Sequence, residues 1–218
     1  MKTNQKGFTL VEIAIVLVII GLLLGGILKG QEMITQAKIK NVIADFSGIS
    51  AAYHGYQDRY RSIPGDDPNA NRWALGQIGD GNGVVAGTYN AATAAPEPES
   101  RNFWAHLRLS GFVAGTGANQ PFNAVTGMIG VQTGDAVGGP VMGTDAAGTG
   151  GFTALIICSA NLPDKIAIAA DTQMDDGSSI GGTVRGLLQT SPNPAPANPA
   201  QAAYAETGTN TYLICRAL

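Results

Sequence analysis

Few residues in this chain have the types and spacing to do chemistry. Asp80-Gly81-Asn82-Gly83 offers two side-chain oxygens at alternating positions, with glycines that permit a tight turn. Calcium loops use that spacing, so Asp80 and Asn82 are candidate ligands for a hard cation. The full twelve-residue helix-loop-helix pattern is absent, and Asp, Asn and Gly are also what ordinary turns are made of. Asp171, Asp175 and Asp176 put further hard oxygens around another turn. The two histidines, His54 and His106, fall on helical stretches with no partner motif and read as exposed or interfacial. No zinc spacing, phosphate-binding loop or nucleophile elbow occurs, so no enzyme class has a candidate site. Cys158 and Cys215 are the only cysteines. An even count in an oxidising compartment reads as a disulfide, with two buried free thiols as the alternative. The remaining chemical oddity is Glu12. It is the one charge between Lys6 and Lys29, near the start of an uncharged run from Ile13 to Leu28. An acid in the middle of a bilayer costs roughly 2.5 kcal/mol or more, so this one needs a partner.

The elements that hold these residues follow from composition and periodicity. From Phe8 to Leu28 a helix is about 31 Å long, enough to span a bilayer. Lys2 and Lys6 ahead of it keep the amino end in the cytoplasm, and the rest of the chain outside it. No A-x-A-like cleavage site follows the apolar run, so a secretory signal peptide fits poorly. A plain membrane anchor would fit, but it leaves Glu12 without a role. Beyond the apolar run, Ile39, Val42, Phe46, Ile49, Tyr53, Tyr56 and Tyr60 recur at spacings of three and four. That is one stripe on a helix, and the helix is predicted to continue to about Tyr60, where Pro64-Gly65 stops it. A short amphipathic helix is predicted over 99–110, with Ser100 as cap, Phe103, Trp104 and Leu107 inward, and Gly111 as stop. A further helix is predicted over 163–172, and strands over 152–158, 182–188 and 211–215. Residues 111–151 read as long loops with short strands, and residues 191–202 as a polar, proline-punctuated loop. Only 13% of residues are charged, glycine numbers 30, and the net charge is −3. There is no basic cluster of the kind that binds nucleic acid.

Lys6-Gly7-Phe8-Thr9-Leu10-Val11-Glu12, followed by the apolar run, resembles the amino-terminal signal of type IV prepilins and type II secretion pseudopilins. The loop 63–69, Trp104-Ala105-His106-Leu107 and Asp175-Asp176-Gly177 are similar, more loosely, to prepilin-type proteins of unassigned role. The resemblance implies cleavage after Gly7 by a prepilin peptidase and N-methylation of the new terminal residue, Phe8. It implies that Glu12 pairs with the free amine of a neighbouring subunit during assembly. It also favours a Cys158–Cys215 bond closing the carboxyl-terminal region, and it raises the expectation of calcium in a loop of the head.

The expected fold is α+β and pilin-like, a long amino-terminal helix packed on a small antiparallel β-sheet head with long loops. The expected organisation is a leader at 1–7, a transmembrane and assembly half-helix at 8–30, an amphipathic half-helix at 31–62 and a head at 63–218. The implied function is that of a structural subunit in a type IV pilus-type filament, not an enzyme. A pseudopilin of type II secretion and a membrane-anchored binding module that never polymerises are the alternatives. The implied partners are other pilins in a homo- or hetero-polymer, the prepilin peptidase and methyltransferase, an inner-membrane assembly platform and membrane lipid. The precursor would lie in the inner membrane, and the mature subunit in a surface pilus or periplasmic pseudopilus.

Overall fold

The computed structural model describes residues 9–136, 138–200 and 203–218. It divides into two compact units, Met1–Ala37 and Lys38–Leu218. One helix, α1 (Leu10–Tyr60), runs through the first unit into the second. It is unbroken at Gly21, Gly25 and Gly26, where an added Cβ would meet nothing within 4 Å.

In the first unit the side chains of α1 are exposed almost throughout, Leu10, Leu17, Leu22 and Leu28 among them. The helix is long and apolar enough to cross a membrane, and its most apolar stretch is not buried in the protein. So much bare hydrocarbon is unfavourable in water, by roughly 25 cal/mol for each Å² exposed. It requires lipid or another apolar surface.

The second unit has its own core. The predicted stripe of α1 is the buried face: Ile39, Val42, Phe46, Ile49, Tyr53 and Tyr56 are inside, and Tyr60 packs at its edge. After α1 come a 3-10 turn (Ala70–Arg72), α2 (Glu99–Leu109), β1 (Ile129–Thr133), β2 (Leu155–Pro163), α3 (Asp164–Met174), β3 (Val184–Leu188) and β4 (Thr211–Ala217). The strands form one antiparallel sheet in the order β1-β2-β4-β3. The fold is therefore α+β, with the amino-terminal helix against a small antiparallel sheet.

Both faces of the sheet are covered, which explains why Leu155–Cys158 and Tyr212–Cys215 are continuous apolar runs rather than alternating ones. Leu155, Ile157, Tyr212 and Ile214 join the cluster that contains the α1 stripe, α2's Phe103, Trp104 and Leu107, and α3's Ile166 and Ala170. Their neighbours Ile156, Cys158, Leu213 and Cys215 face a second cluster with Tyr89, Val141, Met142 and Phe152. Cys158 and Cys215 stand opposite one another in register and are joined by a disulfide across that second face.

Several boundaries differ from those the sequence predicts. β2 starts at Leu155 and runs on to Pro163 through a bulge between Ser159 and Leu162. Phe152 instead bridges to Val141, closing the glycine-rich stretch between them into a loop. The N-cap of α2 is Pro98, so Ser100 lies within the first turn, fully buried. Gly111 does take the left-handed conformation that ends α2 (φ 83°). β1 is a short strand of the kind expected within 111–151, and its five residues are too few for a pattern that would have placed it.

Candidate functional site: the amino-terminal motif and the acidic loops

Gly7 and Phe8, the expected cleavage and methylation residues, lie outside the described residues. Their neighbours are described and are informative. α1 begins at Leu10, with Thr9 before it. The Thr9 backbone N–H and its hydroxyl both donate to Glu12 Oε2 at 2.8 Å, and the Glu12 N–H donates to Thr9 Oγ1 at 3.3 Å. This is a capping box, the T-x-x-E arrangement that satisfies free N–H groups at a helix start in both directions. The pattern Thr9-Leu10-Val11-Glu12 is visible in the sequence, and a search for caps rather than for charges would have found it.

The box gives Glu12 a local role that the charge argument lacked. It ties the carboxylate to the mouth of the helix, where the N-terminal dipole favours negative charge. Among the described residues only Oε2 is engaged, so Oε1 is available to a cation. A neighbouring amine would meet a carboxylate already oriented.

In the second unit, the structure brings Asp80 together with Asn82 and with two further acids. Carboxylate oxygens of Asp66, Asp80 and Glu99 lie within 4.8 Å of one another. The Asn82 amide donates to Asp80 Oδ2 at 2.8 Å, and its carbonyl accepts from the Val84 N–H at 2.7 Å. Asn82 thus shapes the turn, with its oxygen engaged by the Val84 N–H. Asp66 comes from the loop after α1 and accepts the N–H groups of Gly81 and Gly83 at 2.6 and 2.7 Å. Glu99, the first residue of α2, accepts the Ala86 N–H at 2.9 Å and the Asp80 N–H at 3.3 Å.

Burial pushes the Asp66 carboxyl up; the two glycine N–H groups oppose this, and Asp80 adds to it. Burial likewise raises Glu99, helped by the charges of Asp66 and Asp80 and opposed by its own N–H contacts. Hard oxygens in this spacing suit a divalent cation or a shared proton. Their visible hydrogen bonds are those of a loop tied to a helix start. Asp171, Asp175 and Asp176 form a second such group. Asp171 accepts from Tyr204 Oη at 2.6 Å and the Gly177 N–H at 3.1 Å, and Asp175 Oδ2 accepts the N–H groups of Thr183 and Val184. Asp66 and Glu99 were missed in sequence because they lie far along the chain from Asp80, and only the fold joins them.

His106 departs from its expected surface position. It is fully buried in the core. Its Nδ1 accepts the Gly65 N–H at 2.9 Å, so the proton sits on Nε2, which donates to the Gln77 carbonyl at 2.7 Å. Burial holds its basicity down, against the opposing pull of the Gln77 carbonyl and Asp67. It is a neutral clasp between α2 and two loops, without catalytic geometry. Beside it, Asp67 accepts from Tyr56 Oη at 2.5 Å, from the Asn69 N–H and from Nη1 and Nη2 of Arg72. This network fastens the end of α1 to the loop that follows.

Residues 2–28 match the family model described as the prokaryotic N-terminal methylation motif. No curated protein matches the chain. A solved structure, that of the major type IV pilin PilA1 from Clostridium difficile, aligns with 83% of this chain and 96% of its own at 9% identity. Its TM-score of 0.38 is too low to carry an argument. The motif match covers residues 2–28, the first part of α1 among them, and leaves the rest of the chain unassigned. On these observations the chain bears a prokaryotic N-terminal methylation motif at its amino end.

Proposed function

We propose that this chain is a structural subunit of a type IV pilus-type filament. It is made as a membrane precursor, cut after Gly7 and methylated on the new amine of Phe8. Residues 1–7 are then leader, 8–30 the membrane and assembly half of α1, 31–62 its amphipathic half, and 63–218 the head. The precursor sits in the inner membrane with its amino end in the cytoplasm, and its partners are further pilins, the processing peptidase and methyltransferase, and an assembly platform. No step of this is enzymatic for the chain itself.

One observation supports the reading above the others. The apolar half of α1 is bare of protein contacts and carries a single, pre-oriented carboxylate at its mouth. Lipid satisfies the hydrocarbon but offers nothing to the charge, and an unpaired charge in a low-dielectric setting is strongly disfavoured. A second copy satisfies both. Its α1 covers the hydrocarbon, and its freed amine, one residue ahead of the Thr9 cap, reaches Glu12.

The test is intact-mass analysis of the protein recovered from sheared surface fibres. The reading expects a chain that begins at a methylated Phe8. Material that begins at Met1, or that never leaves the membrane as polymer, overturns it. Processed protein held only in short periplasmic fibres would mark a secretion pseudopilus instead, and processed monomer would mark a membrane-anchored binding module.

A further inference from the structure

We propose that α1 carries a second ion pair between copies, Lys40 of one subunit with Asp45 of the next, at the same stagger as the pairing of the Phe8 amine with Glu12. The inference rests on the filament reading, and it adds a contact in the head-proximal half of the helix.

Asp45 is half-buried on α1, and no cation or hydrogen-bond donor engages its carboxylate among the described residues. Burial pushes this carboxyl up, with no opposing interaction. Its own helix supplies no cation at a spacing that meets it. Side chains meet on a helix at three or four residues. Those positions ahead of Asp45 hold Gly48 and Ile49, and those behind it hold Val42 and Asn41. Lys40 and Lys38 stand five and seven residues back, and neither makes a hydrogen bond or ion pair among the described residues.

The surroundings of Asp45 suit a lysine. Asp45 lines a groove of about 310 Å³ with Gly48, Ile49, Phe112, Phe122 and Ile129. Phe122 is 64% exposed, a large apolar ring left uncovered at its rim. Apolar walls with one carboxylate match a side chain that lays a hydrocarbon stem along the surface and ends in an ammonium.

The stagger identifies the donor. If the amine at position 8 meets Glu12 of the adjacent copy, the two helices are offset by about four residues, about 6 Å. The same offset brings Lys40 level with Ala44 of that copy, one residue from Asp45, well within a lysine's reach. Lys38 would arrive three residues away. It also brings Lys29 beside Glu32, but those two already pair within one chain at 2.7 Å, so that contact decides nothing. Asp45 has no such local alternative. Two identical chains can therefore satisfy the terminal pair and the 40-to-45 pair at once; a slip of one helical turn breaks the terminal pair and, in one direction, brings Lys38 rather than Lys40 to Asp45.

The test uses the full chain in cells that assemble it. Positions five apart on a helix are about 8–9 Å apart between Cα atoms, too far for a disulfide within one chain. Both native cysteines are already bonded to each other. The K40C/D45C double variant is therefore expected to form a ladder of dimers, trimers and larger species on a non-reducing gel, while K40C or D45C alone gives none. In parallel, K40D and D45K each lower filament yield by about tenfold, the loss of one close charge pair, and K40D/D45K recovers most of it. D45N and the melting temperature of each variant separate a lost contact from a lost fold. If wild type forms fibres that require Glu12 and K40D/D45K recovers no more than the single variants do, the Lys40–Asp45 pair is wrong and the filament reading stands. If wild type forms no fibres, both fall. A cross-link to a protein of different mass overturns the assignment of a second copy as the occupant.

Discussion

Replacing Asp171 with Asn should stabilise this protein at neutral pH. Asp171 is fully buried, and burial raises its carboxyl from 3.8 to about 6, against the hydrogen bonds from Tyr204 and the Gly177 N–H. An acid whose folded pKa exceeds its unfolded value holds its proton more tightly in the native state. Stability is then greatest below about pH 4 and is lost as pH rises through about 6. The full shift is worth about 3 kcal/mol. Asp176 beside it is exposed, and water there screens the charges, so about half of that, about 1.5 kcal/mol, is a realistic gain. Asn keeps the volume, and the Tyr204 hydroxyl accepts a hydrogen bond as readily as it donates one. For a unit of this size the gain is about 3–6 °C in melting temperature. The assay is thermal unfolding of detergent-solubilised D171N and wild type between pH 4 and pH 8. The variant should melt higher at pH 7.5, with the gap closing towards pH 4. A gap that is absent, or unchanged across that range, refutes the reasoning.

Two other perturbations have definite outcomes. Tyr56→Phe removes a donor from the buried Asp67 carboxylate and should cost about 1.5–3 kcal/mol, read as a lower melting temperature at pH 7. Reducing the Cys158–Cys215 bond, or Cys158→Ser, opens a loop closed across a sequence separation of 57 and should cost roughly 4 kcal/mol, measured by denaturant unfolding with and without reductant.

What the sequence made legible was local and periodic. The seven-residue stripe from Ile39 to Tyr60 named the buried face of α1 because a helix repeats every 3.6 residues and both sides of that pattern are readable. The strand runs around Cys158 and Cys215 were found for their apolar content, but β2's far end was not. There Ser159, Ala160 and Asn161 lack a strand pattern, and pairing with β4 across a bulge holds them. His106 and the triad Asp66, Asp80 and Glu99 were out of reach for a different reason. Their partners lie 15 to 41 residues away, so only the folded loops bring them together. At the amino end the motif is readable in full, and the Thr9–Glu12 hydrogen bonds that the T-x-x-E spacing permits are visible in the structure.

That box also supplies the sharpest experiment. Glutamine serves a capping box as glutamate does, but carries no charge. Glu12→Gln therefore leaves the start of α1 intact and removes only the attraction for a neighbour's amine. Electron microscopy of sheared surface material should find abundant fibres from wild type and none from E12Q, while E12Q precursor still inserts in the membrane and its head still melts as wild type does. E12Q fibres in wild-type number would contradict the account, and would leave Glu12 as a helix cap and nothing more.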